Sequence, residues 1–105
     1  MPNDSTVVFE SLELGPNERG EIVLAPSEPL RNPTLFASVR GGEGQVEEII
    51  HGRGSLCSGP WGIETFKLGR PLPVTVTAEE PIKIIICNHG QESATFGASL
   101  VATKE

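Results

Sequence analysis

Reactive and aromatic residue types are scarce in this sequence. Its 105 residues include no tyrosine, one tryptophan, one methionine, two cysteines and two histidines. Two cysteines, Cys57 and Cys87, do not make a disulfide framework, so we expect free thiols that are buried in a core or an interface. A small metal enzyme would need two or three histidines and a carboxylate that converge on one ion. Only His51 and His89 are available, so we rank that class last.

Runs of positive charge and long apolar runs are also missing. The formal net charge is −6, and the eight Lys and Arg residues form no run. Binding to nucleic-acid phosphates or to an anionic membrane surface is therefore disfavoured, and we expect neither as a partner. The longest apolar run, residues 84–87, is far shorter than a membrane span. The first residues contain no basic start followed by an apolar segment, so we expect no secretion signal.

Proline and glycine, in contrast, are abundant. Nine prolines and twelve glycines interrupt the chain, so helices of any length are not expected. Between them, apolar and β-branched residues alternate with polar ones in short segments, which is typical of β-strands. We predict strands at residues 6–14, 20–26, 34–40, 45–51, 55–57, 63–68, 72–78, 82–87 and 93–103.

The spacing of these segments predicts a fold class. Eight or nine short strands about ten residues apart, without sustained helical periodicity, indicate an all-β protein. We predict a single-domain antiparallel β-sandwich over residues 1–105, with a jelly-roll-like arrangement. Residues 26–33 and 52–62 are predicted loops. The alternation slips between Phe9 and Leu12, where we predict a β-bulge.

One segment, EEPIKIIICNHG, is apolar on both faces of its predicted strand. Ile82, Ile84 and Ile86 fill one face, which we predict to lie in the core, and Ile85 and Cys87 fall on the other. Outward apolar residues indicate contact with another molecule when several strands carry them. Three further strands have such residues, at Phe36, at Phe66 and at Val101. The predicted interface consists of Phe36, Phe66, Ile85 and Cys87.

The potential metal ligands do not follow a recognised spacing. One residue separates Cys87 from His89, and five separate His51 from Cys57. Zinc sites normally show ligands paired as in C-x2-C. We therefore predict no metal site and no cofactor.

Catalytic groups are equally hard to assemble from the sequence. Glu47 and Glu48 are adjacent, so on a regular strand they would point to opposite faces and could not act as one carboxylate pair. The chain also has no G-x-S-x-G nucleophile motif. We predict that the protein is not an enzyme.

The predicted outward apolar residues favour a role in assembly. Small all-β proteins without a signal, a cofactor motif or a catalytic set are common among virion components, such as phage head decoration and accessory capsid proteins. This likeness is one of architecture and composition alone. We expect a non-enzymatic structural protein that forms a homo-oligomer or joins a larger protein assembly, in the cytoplasm or in a virion.

The alternative is a module that binds a small ligand or a carbohydrate. Its site would lie at one end of the sandwich, between the loops at residues 41–44, 52–62 and 88–92. Trp61, His51 and His89 would line that site, with the indole ring as a stacking surface.

Overall fold

The computed structural model describes the backbone of residues 4–104 and the side chains of residues 7–102. Residues 1–3 and 105 of the predicted 1–105 domain therefore lie outside the described part. A 3-10 helix spans Ile63–Phe66. The strands are β1 (Asp4–Leu14), β2 (Arg19–Leu24), β3 (Leu30–Arg31), β4 (Thr34–Arg40), β5 (Gly44–His51), β6 (Gly54–Gly62), β7 (Arg70–Pro71), β8 (Thr75–Val76), β9 (Ile82–Asn88) and β10 (Ala94–Lys104).

The strands form three antiparallel sheets, which confirms the all-β prediction. Sheet A has the order β1-β10-β4-β7, and sheet B has the order β2-β9-β5-β6. The short strands β3 and β8 pair with each other in a third sheet. In sheet A the two longest strands, β1 and β10, pair along their whole length without a register shift.

Both four-stranded sheets bury one face in a shared core. Burial alternates along β9, and the predicted core residues Ile82, Ile84 and Ile86 are each 0% exposed, which confirms that prediction. Burial of one large apolar side chain stabilises a fold by about 1.5–3 kcal/mol. The largest fully buried side chains are Phe66, Phe96, Leu24, Leu35, Ile49, Ile63, Leu72, Ile82, Ile84, Ile86, Leu100 and Val46.

The predicted strand at residues 63–68 is wrong, and the reason is local. Ile63–Phe66 forms a 3-10 helix, in which the Thr65 hydroxyl donates to the Gly62 carbonyl at 2.8 Å. Side chains three residues apart lie on one side of such a helix. Ile63 and Phe66 are therefore buried together instead of facing opposite ways.

Two other segments also differ from the prediction. Residues 54–62, predicted as a loop with a short strand at residues 55–57, form strand β6 beside β5 over their whole length. Residues 72–78, predicted as a strand, contribute only Thr75–Val76 to a sheet. Pro71 and Pro73 lack backbone donors, so this segment cannot form a continuous ladder. Its alternation still buries Leu72 and Val76.

The β-bulge predicted in the first strand is absent, and the irregular strand is β5. β1 pairs without a bulge, so Phe9 points outward while Leu12 and Leu14 lie toward the core. The register shifts occur in β5, where the shift between Val46 and Glu48 is found against both β6 and β9. The described part of the chain contains no helix long and apolar enough to cross a membrane.

Candidate functional site

The outer face of sheet A is built from cross-strand rows of β1, β10 and β4. In the middle row, Phe9 of β1 and Phe36 of β4 are both register partners of Ser99 in β10. Side chains in such a row point to the same side of the sheet. The A face, as we define it, consists of three rows: Val7, Val101 and Thr34; Phe9, Ser99 and Phe36; Ser11, Gly97 and Ser38.

Apolar side chains on the A face are unusually exposed. Val7 is 59% exposed and Phe9 is 62% exposed, and Phe36 and Val101 are partly exposed. A groove of about 240 Å³ lies at this face. Its lining residues are Phe9, Phe36, Ala37, Ser38, Lys67, Gly97, Ala98 and Ser99.

Two glycines give the aromatic rings their positions on the A face. A Cβ atom at Gly97 would lie 3.2 Å from Cε1 of Phe9, so the Phe9 ring lies over the backbone of β10. A Cβ atom at Gly69 would lie 2.8 Å from Cε1 of Phe36, closer than real contacts allow. Gly69 also has a φ of +89°, which favours glycine on its own.

The outer face of sheet B has a different character. Ile85 is the register partner of Glu21 in β2 and of Glu48 in β5, and it is partly exposed. Cys87 is the partner of Arg19 and Gln45 in the same way. The predicted contact residues Ile85 and Cys87 thus have polar and charged neighbours on both adjacent strands.

The register shift in β5 overturns the prediction for Glu47 and Glu48. Val46 and Ile49 are both buried, with two residues between them instead of one. This is the geometry of a β-bulge, in which two residues of one strand lie opposite one of the partner. Both glutamates therefore lie on the outer side of sheet B, and both are partly exposed.

This bulge brings the carboxylate of Glu47 close to Cys87 and His89, which are two residues apart in the sequence. The carboxylate of Glu47, the thiol of Cys87 and the imidazole of His89 have ligand atoms that all lie within 4.8 Å of one another. Cys87 lies in β9, and His89 follows directly after the end of that strand. Arg19 reaches the same point, where its Nε atom lies 2.8 Å from Oε1 of Glu47.

Asn88 fixes the backbone between Cys87 and His89. It is fully buried, and its Nδ2 group donates to the carbonyls of Leu14 and Glu92, each at 2.9 Å. Its Oδ1 atom accepts from the Gly90 amide at 2.8 Å. The Asn88 backbone amide donates to Glu18, and its carbonyl accepts from Asn17, both at 2.9 Å.

The structure does not bring together the predicted ligand site of Trp61, His51 and His89. His51 is the partner of Ile82 at one end of β9, whereas His89 follows Asn88 at the other end. The His51 ring is hydrogen bonded through Nε2 to the carbonyl of Thr75 at 2.9 Å. The three side chains therefore cannot line one pocket.

The Trp61 ring has an aromatic neighbour and a cationic neighbour. Its ring meets that of Phe66 edge to face, with centroids 6.2 Å apart. The guanidinium of Arg70 lies 5.2 Å from the centre of the indole ring. One face of the indole ring is therefore occupied by this cation, and Trp61 is partly buried.

The predicted interface residues do not form one surface either. Phe66 is 0% exposed and belongs to the core, so its place in a contact surface was wrong. Phe36 lies on the A face, whereas Ile85 and Cys87 lie on the outer face of sheet B. The prediction missed Val7 and Phe9. The regular alternation of β1 could have identified both residues, because Val7 and Phe9 lie on the side of the strand opposite to Leu12 and Leu14.

The sequence matches no known family model, and no curated protein shows significant similarity to it. The surfaces described above are therefore the basis for assigning a function.

Proposed function

We propose that this protein is a non-enzymatic assembly protein that docks through the A face, with a second copy of the chain as its first partner. The observation that carries this proposal is the exposure of Val7 and Phe9, 59% and 62%, in rows that also contain Phe36 and Val101. Scattered exposed apolar residues are ordinary. Apolar residues from three adjacent strands around a groove are typical of a contact surface.

Charge supports the same surface and the same partner. The molecule carries a net charge of −6, so most pairs of its surfaces would repel each other at neutral pH. The three rows of the A face contain no carboxylate, and Lys67 lines their groove. In the next row of the same face, Glu13 and Arg40 lie on either side of Thr95, so their charges offset each other. Two copies can therefore meet there with little repulsion, whereas Glu21 and Glu48 flank the outer face of sheet B.

The size of the molecule is compatible with such an interface. A stable interface buries roughly 800 Å² on each partner. The molecule measures 46 × 30 × 20 Å along its principal axes. A broad side of these dimensions offers enough area for a stable contact.

The strand order supports the finer fold that we propose, a two-layer jelly-roll sandwich. Without the short strands β3 and β8, eight strands remain. Numbered along the chain, they have the order 1-8-3-6 in sheet A and 2-7-4-5 in sheet B. Jelly rolls, which viral capsid proteins use among others, have a strand order of this kind, and this agreement supports the proposed fold. A role as a virion decoration or accessory capsid protein is consistent with it by analogy of fold.

Light scattering after size exclusion tests the docking proposal. We expect the wild-type chain to self-associate as its concentration rises, because apolar side chains leave water at the contact. Phe9→Glu should be monomeric at concentrations where the wild type is not. The matched control is Val23→Glu, because Val23 is 37% exposed on β2 of the other sheet and should tolerate the charge.

Two results would contradict the proposal. One is a wild-type chain that stays monomeric up to submillimolar concentration. The other is an oligomer that Val23→Glu dissociates and Phe9→Glu does not. Far-ultraviolet circular dichroism of each variant checks that the fold is retained.

A further inference from the structure

We propose that Glu47, Cys87 and His89 form a binding site for one divalent transition-metal ion, with Zn²⁺ as the best match. The site lies on the outer face of sheet B, away from the A face, and it is independent of the docking proposal. The sequence predicted no metal site, because neither Cys87 with His89 nor His51 with Cys57 has a recognised ligand spacing. The fold supplies the third ligand from β5.

The donor set selects the class of metal. A thiolate, an imidazole nitrogen and a carboxylate oxygen are the three side-chain ligands that Zn²⁺ takes in proteins. The thiolate and the imidazole disfavour Mg²⁺ and Ca²⁺, which take oxygen ligands. Three protein ligands leave a fourth tetrahedral position open, and a water molecule would fill it.

The distances are compatible with one ion. Zn–ligand bonds of about 2.0–2.3 Å in a tetrahedral site place the donor atoms roughly 3.5 Å apart. The three donor atoms here lie within 4.8 Å of one another. Rotation of exposed side chains closes a gap of this size, and His89 is exposed and Glu47 partly so.

The backbone that supports the ligands is already fixed. The hydrogen bonds of buried Asn88 hold the chain between Cys87 and His89. The amide of His89 also donates to the carbonyl of Glu43 at 3.0 Å. Because these bonds exist in the folded chain, metal binding has little backbone to order, which favours affinity.

Arg19 acts as a competitor for the third ligand. Its guanidinium is paired with the Glu47 carboxylate at 2.8 Å, although its own side chain is 67% exposed. An exposed ion pair of this kind contributes little to stability, so a metal ion can displace it. Removal of Arg19 should therefore strengthen metal binding, since it frees Glu47 and removes a positive charge beside the cation.

Titration with Co²⁺ tests the site, because a tetrahedral Co²⁺–thiolate complex absorbs in both the visible and the near ultraviolet. The protein is purified without an affinity tag, reduced, and freed of metal with a chelator. We expect one Co²⁺ ion per chain, thiolate-to-cobalt charge transfer, and loss of these bands when Zn²⁺ is added.

The chain provides matched controls for two ligands. Cys87→Ser, His89→Ala and Glu47→Gln should each weaken binding on the order of tenfold or more. Cys57→Ser and His51→Ala should leave it unchanged, because Cys57 packs against the core and His51 lies at the far end of sheet B. Arg19→Ala should bind Co²⁺ several-fold more tightly than the wild type.

Other outcomes would overturn the assignment. They are an absence of charge-transfer absorption, binding of half an ion per chain, and equal losses in Cys57→Ser and Cys87→Ser. Circular dichroism of every variant separates lost ligands from lost structure. Arg19→Ala keeps all three ligands, so tighter binding in that variant cannot come from unfolding.

Discussion

Phe9 and Phe36 lie in one cross-strand row of sheet A, on either side of Ser99, and both rings lie along a groove of about 240 Å³. Gly97 lines the same groove and has no side chain to fill it. An apolar side chain of a partner could therefore insert between the two rings. Such central anchors contribute most of the binding energy at protein interfaces.

The first prediction follows from this groove. Gly97→Val should weaken self-association on the order of tenfold, because the new side chain starts 3.2 Å from the Phe9 ring and occupies the groove. The control is Gly54→Val, since no atom lies within 4 Å of a Cβ atom at Gly54. Sedimentation equilibrium of the two variants measures the difference. Equal dissociation constants would show that the groove is not part of the contact.

The second prediction concerns the charge around Ile85. Ile85→Glu should keep the fold but lower the free energy of unfolding by about 1 kcal/mol, because Glu21 and Glu48 are its cross-strand neighbours. Ile85→Lys places opposite charges in the same row and should be more stable than Ile85→Glu. Urea denaturation at low and high salt measures the free energy of unfolding of both variants. High salt should reduce the difference between them, because it screens the charges. If Ile85→Glu does not fold at all, Ile85 belongs to the core.

The third prediction distinguishes a core phenylalanine from a surface one. Phe66→Ala should lower the free energy of unfolding by about 3–5 kcal/mol, since Phe66 is 0% exposed and its loss leaves a cavity. Phe36→Ala should cost clearly less, because Phe36 is partly exposed on the A face. Chemical denaturation of both variants tests the ranking. If Phe36→Ala lowers the free energy of unfolding more than Phe66→Ala does, Phe66 belongs to the surface, as the sequence predicted.

The fourth prediction concerns the turn after β9. Asn88→Ala removes hydrogen bonds to Leu14, Gly90 and Glu92, and should lower the free energy of unfolding by about 3 kcal/mol. Asn88→Asp keeps an acceptor for the Gly90 amide but loses the donor to both carbonyls.

Hydrogen exchange separates these two variants of Asn88. The Gly90 amide should stay protected in Asn88→Asp and become labile in Asn88→Ala, because only Asp retains the accepting oxygen. If Asn88→Ala is as stable as the wild type, the turn is held by its backbone bonds alone.

Regular alternation made part of this fold predictable. The predicted strands at residues 34–40, 45–51, 82–87 and 93–103 coincide closely with β4, β5, β9 and β10. In these strands the period of two residues decides which side chains are buried. For that reason Ile82, Ile84 and Ile86 were predicted correctly as core.

The prediction was wrong where the backbone departs from the two-residue alternation of side chains along a strand. Ile63 and Phe66 have opposite parity on a strand but share one side of a 3-10 helix. Glu47 and Glu48 have opposite parity on a regular strand but share one side at a bulge. The 3-10 helix is held by local hydrogen bonds, such as the one from Thr65 to Gly62. The bulge depends on the pairing of β5 with β6 and β9, which are distant in the chain. Sequence spacing reveals neither.

The approach of Glu47 to Cys87 and His89 also depends on pairing between strands far apart in the chain. Residues 47 and 87 are neighbours only because β5 pairs with β9 in this register. A shift of two residues would keep the same faces buried and still separate these side chains. The sequence places Cys87 and His89 two residues apart, but only the register of β5 brings Glu47 to them.

Because of the bulge in β5, an insertion or deletion of one residue can change the charge on the outer face of sheet B. Val46 and Ile49 are buried on either side of the two glutamates. Loss of one residue between them would restore a regular alternation and leave the core contacts in place. One carboxylate of the outer face would disappear in that single step. Related chains could therefore gain or lose this acidic group through a length difference of one residue, without any substitution in the core.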